Sequence, residues 1–302
     1  MRAPPQQRRL ADGRLHLHDG PIDLIIEAFG DTSAAEDAYA AAWSRFATVL
    51  DELCSELPLL RADPLTSQAP RGAVALRMVA AVAPFRARRF LTPMAAVAGA
   101  VAEEVLVAMT TGRRLARAYV NNGGDIALHL GPGERFSIGM IDRPDRPSLV
   151  GLATIHAADC VRGVATSGWR GRSFSLGIAD AITVLAASAT VADAAATLIA
   201  NAVDIPDHPA IRRTPACDLD PQSDLGERRV TVAVGPLTPG ETEHALASGA
   251  AEAEFWRDLG LIEAAALRLG EQTRLVGAPA SRYLGRVPAV ARNEEKARHA
   301  VG

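Results

Sequence analysis

The chain has 302 residues, 48% hydrophobic and 22% charged, with a formal net charge of −3. That length can bury a substantial core in one large domain or two smaller ones, and the composition is that of a soluble globular protein. The charge balance implies no basic face for nucleic acid, and Glu103, Glu104 and Asp193 interrupt the apolar stretches, which argues against a membrane span.

Cys54, Cys160 and Cys217 are odd in number and far apart, so neither a disulfide framework nor a zinc site is expected. The first nine residues are charged and lack a following apolar region, which does not read as an export signal, and a cytoplasmic protein is expected. A homodimer is left open. Lys296 is the only lysine and lies in a charged tail, which disfavours Schiff-base chemistry.

In chain order, residues 14–30 alternate around Asp19-Gly20-Pro21 and predict a hairpin with Leu15, Leu17, Ile22, Leu24 and Ile26 inward. Helical spacing predicts helices over 34–59, 73–82 and 95–109, the last apolar nearly all round and therefore buried. Short β-type runs follow at 115–121, 126–130, 136–141, 149–157, 161–166 and 182–186. Next come a helix over 191–203, a Pro- and Asp-rich loop over 204–226, a strand over 229–234, a largely helical stretch over 241–269 broken near Gly260, and a last strand over 274–277. Consecutive strands favour antiparallel pairing and an α+β fold, as one two-lobed domain over 1–292 with a disordered tail over 293–302.

Three stretches carry the chemistry, each with a plain structural alternative. Asn121-Asn122-Gly123-Gly124-Asp125 reads as a tight hairpin turn on Asn122-Gly123; alternatively, Gly123 and Gly124 expose amides to a phosphate or ring, with Asp125 as an acceptor. Thr166-Ser167-Gly168 ends a strand, where hydroxyls commonly close turns; they could equally bind phosphate oxygens, with Trp169 as a stacking face and Arg170 and Arg172 as cations. Asp193 and Thr197 share a helix face with Asn201, a hard-oxygen pair suited to Mg²⁺. On spacing alone, Thr190-Val191-Ala192-Asp193 reads more simply as a capping box. His16 and His18 share a strand face and could ligate metal, but a solvated face is the simpler reading. The run from Arg86 to Arg89 reads as a charged surface loop.

Together these stretches resemble the ApbE-type flavin transferase superfamily, which moves FMN from FAD onto a protein threonine with Mg²⁺. Asn121 to Asp125 resembles its Asn-x-Gly-Gly-Asp turn, Thr166 to Gly168 its Thr-Ser-Gly strand end, and Ala192 to Thr197 its Ala-Asp-x-x-x-Thr helix. The resemblance implies metal ligation by Asp193 and Thr197, and it overturns the capping reading of Asp193. More faintly, Ala95 to Ala100 resembles the family's helix start, implying a third metal contact from the Val97 carbonyl. It further implies cofactor contacts from Asn121, Gly123, Gly124, Asp125, Thr166, Ser167, Gly168 and Ser173, with FAD or a related nucleotide as the ligand.

There are departures. The family's lysine falls near Ala98 here, and its His-Ile-Ile-Asp-Pro segment is replaced by Ser173 to Asp180, leaving Ser173 or Asp180 to supply polar contacts. No lipoprotein signal is read. These features resemble an ApbE-like branch of methanogens and some bacteria. The expected activity is Mg²⁺-dependent handling of a flavin or nucleotide pyrophosphate, by FMN transfer or FAD hydrolysis. The alternatives are a non-catalytic flavin or nucleotide binder, and an enzyme acting on another cofactor precursor such as a pterin.

Overall fold

The computed structural model describes residues 2–63, 68–86, 88–141, 149–277 and 284–285. Gln6–Arg9 (β1) pairs antiparallel with Leu15–Asp19 (β2), although its polar, wholly exposed side chains carry no strand signal. Backbone pairing alone defines this edge strand. β2 and Ile22–Gly30 (β3) form the expected hairpin, with Leu15, Leu17, Ile22, Leu24 and Ile26 all buried by period-two alternation.

The helix expected over 34–59 is two helices, Thr32–Ser55 (α1) and Leu57–Arg61 (α2), divided where Pro58 removes an amide donor. Ala73–Val82 (α3) falls where its periodicity places it. A 3-10 turn, Pro93–Ala96, leads into Val97–Thr110 (α4). The segment Pro93–Thr110 has the length and hydropathy of a membrane span, but half of it is buried inside the protein, as in a core helix.

Leu115–Asn122 (β4), Asp125–Leu130 (β5), Arg135–Ile141 (β6), Leu149–His156 (β7), Gly163–Ser167 (β8) and Ala181–Ala186 (β9) match the expected runs, and Ala189–Ala202 (α5) follows. The stretch expected as a loop over 204–226 holds Ile211–Pro215 (β10) and the short Ala216–Leu219 (α6). β10 is recruited by pairing with Arg229–Val234 (β11), a partner that its own local sequence does not announce.

Pro239–Asp258 (α7) opens on a capping box between Thr238 and Glu241. It stops before Gly260, which takes a φ of 73°. The helix expected to resume after the break is instead a strand, Ala264–Leu269 (β12). Its alanines favour a helix in isolation, but pairing with β9 and Gln272–Val276 (β13) buries them between layers, and tertiary context overrides propensity. Leu284–Gly285 (β14) pairs with β7. The expected boundary at 292, the tail over 293–302 and Lys296 lie outside the described residues.

Among the described residues, one nine-stranded sheet runs β1-β2-β3-β4-β5-β8-β9-β12-β13, antiparallel throughout. Alternate residues separate its faces. Ala165, Val184 and Ala265 pack with α5 and α7, while Val164, Leu185 and Ala266 pack with the small β14-β7-β6 sheet. The fold is therefore α+β with antiparallel sheets. The helical side carries two core clusters, one around α1, α3 and α4 and the other around α5 and α7. The candidate site lies where these clusters meet, at the crossing of α4 and α5.

Candidate functional site

The crossing depends on a missing Cβ. Any side chain on Gly99 would overlap the backbone of Ala189 and Thr190, so glycine alone lets α4 rest against the start of α5. Closeness directs the side chains at the joint. Ser188, not Thr190, caps α5, its Oγ accepting from Val191 N at 3.2 Å. The capping box over Thr190 to Asp193 does not form, because both partners are engaged across the crossing. Thr190 donates its amide and hydroxyl to Glu103 of α4. Asp193 Oδ2 accepts the Gly99 amide at 2.9 Å, an amide in the first turn of α4 that has no partner within its own helix. Glu104 faces elsewhere, bridging Arg45 and Arg77.

The β4–β5 turn supplies the second wall. Gly123 and Gly124 take φ values of 64° and 115°, so the turn rests on the two glycines rather than on Asn122-Gly123. Asn122 ends the strand instead, and its buried Nδ2 donates to the Ala98 carbonyl at 3.1 Å, tying β4 to the first turn of α4. Asn121 Oδ1 accepts from Gly124 N at 2.8 Å and steadies the turn. Asp125 Oδ1 accepts from Thr166 N at 3.3 Å, joining the first and second motifs.

A cleft of about 350 Å³ opens here. Of the sequence-derived candidates, Val97, Asp125, Ser173, Asp193 and Thr197 line it. Asn121, Gly123, Gly124, Thr166, Ser167 and Gly168 stand outside the lining and hold it in place. Thr166 Oγ1 meets Thr183 Oγ1 at 3.0 Å, Ser167 pairs with Ile182 on β9, and Gly168 packs against the Asp180 backbone with no room for a Cβ.

Other expectations are redirected. Asp180 accepts from Arg170 Nε at 2.6 Å and from Gly270 N at 2.8 Å, and both Asp180 and Arg170 line a separate cavity of about 380 Å³. The Arg170 guanidinium stacks on Trp169, so neither offers itself to the cleft. Asn201 accepts from Ser175 Oγ and Leu176 N, anchoring the preceding loop. His16 and His18 both contact Asp23 at 3.1 Å, and among the described residues no group of three His, Cys, Asp or Glu side chains is placed to hold a metal. Arg88 and Arg89 pair with Glu252, whose side chain is 2% exposed.

The sequence reading did not anticipate Arg61, Met94, Phe174, Asp220 or Asp224 in the lining. Asp224 arrives because buried Thr92 donates its hydroxyl to it, clasping the loop after α6 over the cleft. No local pattern marks that contact, which spans 132 positions of chain.

The electrostatics set the chemistry. Asp125 and Asp193 keep one side open to the cleft and are enclosed by protein elsewhere. Burial pushes the Asp193 carboxyl up to about 7, against the pull of the Gly99 and Ala98 amides. Asp125 is also raised well above the usual carboxylate range, by burial first and then by the charge of Asp193, with Thr166 N and Arg172 opposing. The Thr197 hydroxyl makes no hydrogen bond among the described residues. Two strained carboxylates beside a free hydroxyl form an all-oxygen donor set, which suits a hard divalent cation. Four aspartates and two arginines line the cleft, so it is net acidic once Asp125 and Asp193 ionise.

The apo crystal structure of Pseudomonas stutzeri flavinyl transferase ApbE matches over 92% of this chain and 96% of that one, at 13% identity and a TM-score of 0.38. A UPF0280 protein of Methanothermobacter thermautotrophicus is 36% identical over 169 residues, covering 53% of this chain and 62% of that protein. Another, from Methanothrix thermoacetophila, is 39% identical over 123 residues, covering 37% of this chain and 46% of that protein. Both matches span less than two thirds of the relative's length. The family described as AbpE bacteria matches residues 7–275, nearly all of the described chain, and the protein belongs to it.

Proposed function

We propose that the cleft binds FAD or a related nucleotide together with Mg²⁺ and acts on its pyrophosphate, transferring FMN to an acceptor or to water. One observation carries the reading. Asp125 and Asp193 converge beside Thr197 with both carboxyls raised, so the site favours either protons or a divalent cation. The motif resemblance to flavin transferases supplies the ligand class.

Asp193 and Thr197 would hold the metal, with Asp125 beside them, and Val97 lines the same wall. Bound there, Mg²⁺ supplies charge neutralisation for bridging phosphate oxygens. The protein's own residues do the rest. The Gly99 amide orients the Asp193 carboxylate, Asn122 fixes the first turn of α4 against β4, and Thr166 N aims Asp125. These contacts hold the Asp125 and Asp193 carboxyls in one arrangement, in which they would receive the metal.

A second reading has its own support. The lysine and the His-Ile-Ile-Asp-Pro segment of the flavin transferases are replaced here by Ala98 and by Ser173 to Asp180, which supports a non-catalytic flavin or nucleotide carrier. Calorimetric titration with FAD, with and without Mg²⁺, tests binding, and chromatography for FMN and AMP tests turnover. Mg²⁺-dependent binding with product lost in Asp193→Ala supports the first reading. Binding without product supports the carrier. No binding in either condition sinks both.

A further inference from the structure

Arg172 is a cation for which the fold shows no structural use. Two positions earlier, Arg170 is held by Asp180 and Trp169, whereas Arg172 is exposed and makes no hydrogen bond or ion pair among the described residues. It nevertheless lines the cleft, close enough for its charge to act on Asp125. Its Nη2 lies where a side chain on Gly123 would stand, so the glycine turn gives the guanidinium its place. Arg61, at the end of α2, lines the same cleft and likewise makes no hydrogen bond or ion pair among the described residues. Phe174, 38% exposed, adds an aromatic ring to the same lining.

We infer that Arg172, joined by Arg61, is the anion-binding group of the cleft, and that Phe174 stacks on the ring system of the ligand. The ligand class is a ring-bearing phosphate ester whose phosphate reaches Arg172. This rests on the proposed reading of the cleft as a nucleotide site and adds which residues select the ligand. The chemistry favours arginine for this task, since a planar guanidinium grips two phosphate oxygens at once and lysine does not. Ionised Asp125 and Asp193 repel a phosphate that arrives alone, so the contribution of Arg172 is read at saturating Mg²⁺.

The test is calorimetry on the full chain with FAD, ADP, adenosine and inorganic pyrophosphate as probes. Wild type is compared with Arg172→Ala, Arg172→Lys and Phe174→Ala, each first checked for an unchanged thermal midpoint. Arg172→Ala is expected to weaken FAD, ADP and pyrophosphate by about tenfold to a hundredfold and to leave adenosine unchanged, with Arg172→Lys intermediate. Phe174→Ala is expected to weaken the ring-bearing probes about tenfold and to spare pyrophosphate. If FAD fails to bind while ADP or pyrophosphate binds in an Arg172-dependent way, the flavin reading falls and this inference stands. Equal FAD binding by wild type and Arg172→Ala overturns the inference and leaves the flavin reading intact. If no probe binds, both are overturned.

Discussion

Replacing Asp193 with Asn separates the energetic role of its carboxylate from its structural one. The amide oxygen can still accept from Gly99 N, so the α4–α5 joint is preserved and only the charge is removed. A carboxyl whose folded pKa is about 7 against an ordinary 3.8 binds more protons folded than unfolded between those values. Its contribution to stability is fully present below the unfolded pKa and is lost as pH rises through about 7. The full shift corresponds to a ceiling of about 4 kcal/mol, and the open cleft side reduces this to about 2 kcal/mol. In metal-free protein, Asp193→Asn is therefore expected to exceed wild type by about 1 kcal/mol near pH 5 and by about 2 kcal/mol near pH 8, the latter about 4 °C in thermal midpoint. Adding Mg²⁺ near pH 8 should stabilise wild type and leave the variant unmoved. The assay is thermal unfolding at both pH values, in chelator and in excess Mg²⁺. A variant less stable than wild type near pH 8 in chelator would show that no electrostatic strain exists at Asp193.

Three further outcomes follow from the same joint and from the far cluster. Gly99→Ala drives a methyl into the Ala189 backbone and should destabilise by about 1–3 kcal/mol in denaturant titration, with loss of Mg²⁺ binding; an unchanged midpoint would contradict the close crossing. Asn122→Ala releases the Ala98 carbonyl and should weaken Mg²⁺ binding about tenfold through a loosened first turn of α4, measured by calorimetry. Glu252→Ala leaves Trp256 Nε1 without its 2.8 Å acceptor and frees Arg88 and Arg89, a loss of about 2–4 kcal/mol with a shifted tryptophan emission. Glu252→Gln, which keeps an acceptor for the indole, should lose less.

Much of the fold was legible locally, and the reasons are specific. Leu15 to Ile26 alternate because one face of β2 and β3 is buried, and that pattern is written in the residues themselves. The turn expected on Asn122-Gly123 is present but sits one residue later, on Gly123 and Gly124, the two residues that take positive φ at least cost. The same locality misled at 264–269, where alanines that favour helix became β12, because sheet neighbours on both sides decided the outcome. It also missed β1 and β10, whose strand character comes from pairing rather than composition.

For the site, the sequence by itself determined the types of group: carboxylates at Asp125 and Asp193, a hydroxyl at Thr197, and small residues where backbones must approach. Only the tertiary structure decided which of them share a cleft. Asp193 could equally have capped its own helix, and it became a cleft residue because Gly99, 94 positions away, presents an unpaired amide where α4 crosses α5. Arg172 enters the cleft while Arg170 is turned away by Asp180. The physical reason is common to these cases. Backbone propensity and side-chain chemistry act over a few residues, whereas proximity between distant segments is set by how the sheet and helices pack, and a polar group's role is whichever partner that packing leaves within reach.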